Sequence, residues 1–206
     1  MNESKVSDPP IALVLVHRAI SRGLDVGCQY ATRFARTGYP DRATGAGFAL
    51  YLRTLSGVLH MHHSAEDEIA FPFLRERLPD LPFETLIHEH EQMEAILEGM
   101  APILDALRGE PGEESALETS CDVLASLSEI WPAHIAIEET GVSVTKLEAM
   151  VGTEALAGWL AEMGQHRPEG APPDPVGIPF ILYNLPAEER AIMAAQMPPA
   201  VSQELV

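Results

Sequence analysis

The sequence predicts an all-α protein, an antiparallel up-and-down four-helix bundle with an additional C-terminal helical and proline-rich tail. The composition indicates helices, because helix-forming residues abound, only 6% of residues are aromatic, and no Asn-Gly or Asp-Gly hairpin turn occurs. Four long segments repeat apolar residues at spacings of three and four, the pattern of a helix with one buried face. Short connections join these segments and make neighbouring helices antiparallel.

The first two predicted helices are delimited by proline and glycine. The first is expected over residues 10–36, after a proline pair and before a turn at 37–40 that contains glycine and proline. The second is expected to begin after Gly47 and to run to Arg77, where the proline-containing segment 78–82 ends it.

The third and fourth helices complete the bundle. The third is predicted over residues 83–108, and the fourth over 113–150, with a glycine-containing turn at 109–112 between them. Prolines inside these periodic patterns are expected to kink or locally break the helices. They are Pro72, Pro102 and Pro132.

Beyond the bundle the sequence changes character. A short fifth helix is predicted over 153–164, and the segment 168–199 then holds eight of the 17 prolines. We expect no regular helix in that segment before a final short one at 186–197. Because the run 178–183 is too apolar for a free linker, we expect the tail to dock on the bundle or on a partner subunit. The predicted units are the bundle, 10–150, and the C-terminal helix with its docking tail, 151–206.

Charge and cysteine content exclude several classes of protein. The net charge of −18 argues against nucleic acid and anionic membrane surfaces as partners. The apolar run 11–16 is too short for a membrane helix, and no signal cleavage site follows it. Cys28 and Cys121 are too few for a disulfide framework and are expected to be free buried thiols in a reducing compartment. We therefore expect a cytoplasmic protein.

Polar residues interrupt the apolar face of each of the four predicted helices. A histidine and a glutamate four positions apart project from the same face of a helix, and this pair occurs twice. A buried carboxylate without a partner is unfavourable by several kcal/mol, so two carboxylates in one core indicate a cation. The interrupting residues are His17 in the first helix, His62 and Glu66 in the second, His90 in the third, and His134 and Glu138 in the fourth.

Antiparallel packing places these residues in one layer at the same end of the bundle, as in helical bundles that hold dinuclear metal sites. With His63, which follows His62, the set has five imidazoles and two carboxylates. Seven donors exceed the six positions of one octahedral ion, but they suit two ions bridged by both carboxylates and an oxo or hydroxo oxygen. Nitrogen and oxygen donors without a thiolate favour two non-haem iron ions, with manganese or zinc as the alternatives.

The other histidines and the neighbouring acidic residues have different predicted roles. His60 and His88 point away from the apolar faces and are expected in solvent, whereas His166 has no assigned role. Glu94 is not expected to be a ligand. Four acidic residues are expected either in solvent or as acceptors for imidazole N–H groups. They are Asp67, Glu68, Glu89 and Glu139.

Together these residues resemble the hemerythrin-like, or HHE cation-binding, domains. The pattern of that family is a histidine, a His-x-x-x-Glu motif, a further histidine and a second His-x-x-x-Glu motif, one element on each helix. The sequence matches this pattern with His17, the run His-His-Ser-Ala-Glu-Asp at 62–67, His90, and the run His-Ile-Ala-Ile-Glu-Glu at 134–139. The resemblance spans residues 10–150 and implies a carboxylate-bridged di-iron site in a four-helix bundle.

Two features differ from the oxygen-carrying hemerythrins. Those proteins have two histidines four residues apart on the third helix, whereas here Leu86 and Glu94 flank His90. They also end with an aspartate five residues after the last histidine, whereas here Glu138 follows His134 at four. The donor set has fewer imidazoles, so the resemblance does not by itself imply reversible oxygen carriage.

The resemblance leaves three functions open. The first is a protein that binds or senses dioxygen, nitric oxide or peroxide at the di-iron site. The second is a di-iron oxidoreductase that reduces peroxide or nitric oxide, and the third is iron storage or delivery. The sequence does not choose among them, so whether the chain is an enzyme stays open. The expected partner is a small diatomic or peroxide ligand, and a homodimer is left open as an assembly.

Overall fold

A computed structural model describes residues 8–196, and every regular element in that range is helical. The all-α prediction is therefore confirmed. None of these helices is both long enough and apolar enough to cross a membrane. In chain order the elements are α1 (Ile11–Thr37), α2 (Arg42–Ala65), a π-helical segment (Glu66–Ala70), α3 (Phe71–Arg75), α4 (Phe83–Ala106), α5 (Glu114–Gly141), α6 (Val144–Val151), α7 (Thr153–Gln165), α8 (Asp174–Tyr183) and α9 (Ala187–Gln196).

The four long helices α1, α2, α4 and α5 form an antiparallel bundle around a leucine-rich core. Helix α1 packs along α5, α5 also packs along α4, and α2 contacts both α1 and α4. Each core side chain removed from water contributes about 1.5–3 kcal/mol of transfer free energy. The largest fully buried members of this core are Leu15, Ile20, Leu24, Leu52, Leu55, Leu59, Met93, Met100, Leu117, Leu124 and Leu127.

Helix α2 begins at Arg42, before the predicted start after Gly47. Asp41 is its N-cap, and the Asp41 carboxylate accepts a hydrogen bond of 2.8 Å from the backbone N–H of Thr44. Gly45 lies inside the helix, where a Cβ atom would lie 2.4 Å from the Gly109 Cα. Gly45 thus permits close packing of α2 against the loop that contains Gly109.

The predicted fourth helix, 113–150, is two helices. Helix α5 ends at Gly141, and Val142 has extended backbone between α5 and α6. Ser143 is the N-cap of α6, because its hydroxyl oxygen accepts a hydrogen bond of 3.3 Å from the Lys146 N–H. The prediction of one continuous helix is wrong here, since it treated this capping serine as an interior residue.

The prolines of the bundle have different effects on the helices. The predicted second helix changes to π-helical geometry at Glu66, before Pro72, and the α-helix that follows ends at Arg75 rather than Arg77. Helices α4 and α5 continue through Pro102 and Pro132. A local break is therefore confirmed only at Pro72.

The C-terminal helices contact the bundle. Helix α8 lies across α1 and α2, and α7 packs against the π-helical segment. The prediction of no regular helix before residue 186 is wrong for α8, in which Pro175 lies in the first turn and Pro179 in the interior. Residues 197–206 of the predicted tail lie outside the described part of the chain.

A small residue and a buried amide fix the position of α8. Gly23 of α1 lets the Phe180 ring approach closely, since a Cβ at Gly23 would lie 3.0 Å from the Phe180 Cζ. Asn184 is buried, and its Oδ1 accepts a hydrogen bond of 2.9 Å from the Tyr51 hydroxyl. Its Nδ2 donates a hydrogen bond of 3.0 Å to the Phe180 carbonyl. The C-terminal end of α8 is thus anchored to α2.

The contribution of α8 can be measured at Phe180. We expect Phe180→Ala to lower the free energy of unfolding by about 3–5 kcal/mol and the melting temperature by roughly 10 °C. Tyr183→Ala is the matched control, since its side chain on the same helix is 62% exposed. Thermal denaturation followed by circular dichroism compares the two variants. Equal melting of both would contradict a packing role for α8.

The two cysteines differ from the sequence expectation in their burial. Both are free thiols, as predicted, but Cys28 and Cys121 are half-buried rather than buried. They lie next to each other, with Cys28 on α1 and Cys121 on α5.

Candidate metal centre

The bundle brings the seven predicted ligands into one buried layer. Helix α1 contributes one of them, the last turn of α2 two, the π-helical segment one, α4 one and α5 two. None of these seven residues is more than 7% exposed. They are His17, His62, His63, Glu66, His90, His134 and Glu138.

The seven residues form three overlapping groups, two of which share both carboxylates. Within each group the donor atoms lie within 4.8 Å of one another, which is close enough to surround a single cation. Glu66 and Glu138 occur in both of the groups that contain carboxylates, and His63 joins the histidines of the second. The first group is His17, His62, Glu66 and Glu138; the second is Glu66, His90, His134 and Glu138; the third is His63, His90 and His134.

Glu138 faces one imidazole of each group. Its Oε2 lies 3.2 Å from the His17 Nε2, and its Oε1 lies 3.5 Å from the His134 Nε2. These approaches lack hydrogen-bond geometry, because both carboxylate oxygens have no hydrogen-bond partner among the described residues. Each oxygen is therefore free to bind a separate ion, as a bridging carboxylate does.

Glu66 opens the π-helical segment and faces an imidazole of each group with the same carboxylate oxygen. Its Oε2 lies 3.3 Å from the His62 Nε2 and 3.5 Å from the His90 Nε2. Single π-helical turns occur often at functional sites, because the wider turn redirects the side chains that follow. The sequence did not predict this geometry, and its only signal is Pro72, which lacks the N–H that an α-helix would need there.

Six buried polar atoms of the cluster have no hydrogen-bond partner among the described residues. A buried polar atom left without a partner is unfavourable by about 1–3 kcal/mol, so six in one layer favour the binding of a species that contacts them all. A cation can accept the lone pairs of imidazole nitrogens and carboxylate oxygens together, and the donor set therefore fits metal ions. The six atoms are the Nε2 atoms of His17, His62 and His63, the Oε2 of Glu66, and both carboxylate oxygens of Glu138.

The Nδ1 atoms of four imidazoles each meet a carboxylate outside the cluster. This arrangement directs the Nε2 atom of each ring inward and is the usual support of a metal-binding histidine. Of the two predicted alternatives, Asp67, Glu89 and Glu139 lie against imidazole nitrogens, whereas Glu68 lies in solvent with 63% of its side chain exposed. The pairs are His17 with Glu139 at 2.9 Å, His63 with Glu94 at 3.3 Å, His90 with Asp67 at 2.8 Å, and His134 with Glu89 at 3.0 Å.

One of these supporting carboxylates offers a clean test. Because Glu89 orients His134, we expect Glu89→Ala to weaken metal affinity by about 10- to 100-fold. Glu91→Ala is the matched control, since Glu91 lies on the same helix with a side chain that is 72% exposed. Competition with a metal chelator compares the two affinities. Equal affinities would contradict the orienting role of Glu89.

Burial suppresses charge on part of the cluster. Burial and the nearby Glu138 carboxylate raise the pKa of Glu66 to about 8. Burial also lowers the pKa of His63 to about 4 and that of His62 well below its usual value. Two carboxylates so close together retain a proton at neutral pH, and a divalent cation placed between them would relieve the same repulsion.

Carboxylates have the opposite effect on two other imidazoles. Burial opposes the charged form of His17, but Glu138 and Glu139 outweigh it and raise the pKa of His17 to about 9. For His90 the same balance, with Asp67 and Glu66 as the acidic neighbours, raises the pKa to about 10. Protons on these rings occupy places that a metal ion would take, so metal binding must displace them.

Aromatic rings separate the cluster from the rest of the core. The Trp131 ring centroid lies 5.5 Å from that of His17 and 5.7 Å from that of His62. Its indole N–H donates a hydrogen bond of 2.8 Å to the Ser21 hydroxyl. Phe71 stacks on His90 with ring centroids 5.4 Å apart. Trp131 and Phe71 thus give the cluster surroundings of low polarity. Because electrostatic attraction is stronger in such surroundings, carboxylates there bind a cation more strongly than they would in water.

The histidines outside the cluster agree only in part with the sequence expectation. His88 is exposed, as predicted, with 67% of its side chain accessible. His60 is not simply in solvent, because its Nδ1 lies 3.0 Å from a carboxylate oxygen of Glu94. His166, which had no assigned role, places its Nε2 atom 2.8 Å from the Ser64 hydroxyl. The sequence missed these contacts because they join α2 to distant parts of the chain.

Comparison with known proteins identifies the family. Neither the curated proteins nor the solved structures contain a match to this chain. The family model of the Hemerythrin HHE cation binding domain matches residues 11–143, which is more than half of the chain. The matched range contains all seven residues of the buried cluster. The chain therefore belongs to the hemerythrin HHE cation-binding family.

Proposed function

We propose that this chain is a non-haem di-iron protein that binds or senses dioxygen, nitric oxide or peroxide. The observation that supports this proposal best is the sharing of Glu66 and Glu138 between two groups of buried histidines. A single ion would need only one such group. Two adjacent groups with common carboxylates are the arrangement expected for two bridged ions.

The proposed ligands divide by their positions. His17 and His62 would hold one ion, and His90, His134 and His63 would hold the other, because these imidazoles lie in separate groups. Both carboxylates would bind both ions. This assignment uses all seven predicted ligands and leaves the supporting carboxylates outside to orient the rings.

The donor types favour iron. Imidazole nitrogen and carboxylate oxygen suit iron, whereas the two thiols of the chain lie elsewhere in the bundle. Iron bound here would supply redox chemistry and an open position for a small ligand. The protein's own contribution is to fix the imidazoles, to neutralise cationic charge with two carboxylates, and to keep the layer buried.

The number of donors in each group indicates which of the two proposed ions has open coordination positions. If each shared carboxylate gives one oxygen to each ion, the first group offers four donors and the second, with His63, offers five. An octahedral ion has six positions, so the first ion keeps more room than the second. We infer that the small ligand binds on the side of His17 and His62, next to Trp131.

Metal analysis combined with ligand titration tests the proposal. We expect two irons per chain in the purified or iron-reconstituted protein. Adding dioxygen or nitric oxide to the reduced protein should change its optical spectrum at one ligand per di-iron unit. A stable adduct supports binding or sensing, whereas repeated consumption of peroxide or nitric oxide per iron would support an oxidoreductase instead. Protein that takes up one iron or none would contradict the proposal.

A further inference from the structure

A second cluster of reactive side chains lies outside the metal centre, between α1 and α5. The Sγ atoms of Cys28 and Cys121 are 2.7 Å apart, and both residues are free cysteines. They are the only two cysteines of the 206-residue chain. Two thiols 93 positions apart in sequence are therefore brought into direct contact by the packing of two long helices.

The surroundings of the pair leave it accessible to small molecules. Both cysteines are half-buried, and the exposed Thr32 lies beside them on α1. The Thr32 hydroxyl donates a hydrogen bond of 2.9 Å to the Cys28 carbonyl and lies 3.1 Å from the Cys121 Sγ. A small oxidant or a small thiol can therefore reach the sulfur atoms from the bundle surface without entering the core.

The pair is separate from the metal centre. Cys28 lies three helical turns beyond His17 on α1, about 16 Å along the helix axis. Cys121 lies a similar distance before His134 on α5, about 20 Å. The described residues place no third metal-binding side chain with the two thiols. Two sulfur donors alone do not complete a tetrahedral site, so the geometry favours chemistry between the sulfurs.

We propose that Cys28 and Cys121 form a reversible intramolecular disulfide, with a peroxide as the oxidant. The pair is a two-electron redox site in addition to the metal centre. Its oxidation joins α1, which carries His17, to α5, which carries His134 and Glu138. The cross-link closes a long loop that contains α2 and α4, so it restricts the unfolded chain more than a short loop would.

The reaction balances as a two-electron exchange. The thiolate of one cysteine attacks an oxygen of hydrogen peroxide, the O–O bond breaks, and a sulfenic acid forms as water leaves. The sulfur of the other cysteine then attacks the sulfenic sulfur, the S–S bond forms, and a second water leaves. Two thiols and one peroxide thus yield one disulfide and two waters. A small dithiol reverses the change by thiol–disulfide exchange.

The two sulfur atoms are present as thiols in the structure. Burial and the contact with Cys121 raise the pKa of the Cys28 thiol to about 11, so this sulfur keeps its proton at neutral pH. Because the thiolate is the attacking species, attack by Cys28 is slow, whereas the second step joins sulfur atoms that are already 2.7 Å apart. The sulfenic acid is consequently captured by the neighbouring cysteine before it is oxidised further.

Thiol titration of the full-length protein as purified tests the proposal. We expect two reactive thiols per denatured chain before treatment and none after stoichiometric hydrogen peroxide. The oxidised chain should be monomeric on non-reducing gels, lighter by two hydrogens in the intact mass, and give one cross-linked peptide that contains both cysteines. Its melting temperature should rise by about 5–10 °C, and dithiothreitol should restore both thiols.

Two serine variants are the matched controls. Cys28→Ser and Cys121→Ser should keep the metal content of the wild type, because neither residue lies near the metal ligands, and neither should show the rise in melting temperature. The proposal is overturned if the wild-type chain keeps both thiols after peroxide treatment. It is equally overturned if the thiols disappear only into sulfinic acids or into disulfides between chains.

Discussion

Glu138→Ala is expected to remove nearly all iron from the protein. Glu138 faces imidazoles of both groups, with one carboxylate oxygen near His17 and the other near His134. Its loss would remove a donor from each of the two proposed ions and half of the carboxylate charge that would offset them. Metal analysis after anaerobic reconstitution with iron(II) should fall from two per chain towards none. Glu66→Ala should have the same effect, because Glu66 also belongs to both groups.

The controls for this prediction separate ligands from their neighbours. His88 and His90 lie on the same helix, α4, but the His88 side chain is 67% exposed. His88→Ala should therefore leave the metal content near two per chain. His17→Ala removes a donor from one group only and should lose less iron than Glu138→Ala. If Glu138→Ala retained two irons while remaining helical by circular dichroism, the carboxylate would not bridge the ions. If His88→Ala lost iron and His90→Ala did not, the assignment of His90 as the metal ligand on α4 would be wrong.

The donor set was predictable from the sequence because helix geometry determines it. A His-x-x-x-Glu spacing places both side chains on one helix face, and the apolar periodicity around His17 and His90 shows which face is buried. Antiparallel order then fixes the end of the bundle at which each residue lies. The structure brings all seven predicted residues together, since each step depends only on local periodicity and short loops.

The features that the sequence missed depend on contacts between distant segments. Glu94 was considered only as a ligand, which was not expected, yet its carboxylate lies against the Nδ1 atoms of both His63 and His60, because α4 passes beside the last turns of α2. The proline-rich helix α8 was expected to be irregular, but packing of Phe180 on Gly23 stabilises it. Neither contact has a local signature, since tertiary packing overrides the low helix propensity of proline-rich sequence.

Removal of iron is expected to lower the melting temperature of the protein by roughly 10 °C. A ligand that binds only the folded state stabilises it by about 3–4 kcal/mol when its concentration is 100 to 1,000 times its dissociation constant. Without a cation, burial and the nearby Glu138 carboxylate disfavour the charged form of Glu66 and raise its pKa, so the metal-free layer is electrostatically unfavourable. Scanning calorimetry of iron-loaded and chelator-treated protein measures the difference.

The position of the buried cluster predicts which part of the metal-free protein unfolds locally first. Glu66 and His90 lie at the end of the bundle that α3 and α7 cover, so limited proteolysis should cut this end faster after iron is removed. Glu138→Ala is the control, because a chain that binds no iron should melt at the same temperature with and without chelator. Unchanged melting and unchanged proteolysis of the wild type after complete iron removal would show that no metal ion stabilises this layer. The six unpartnered polar atoms would then need a different explanation, such as ordered water.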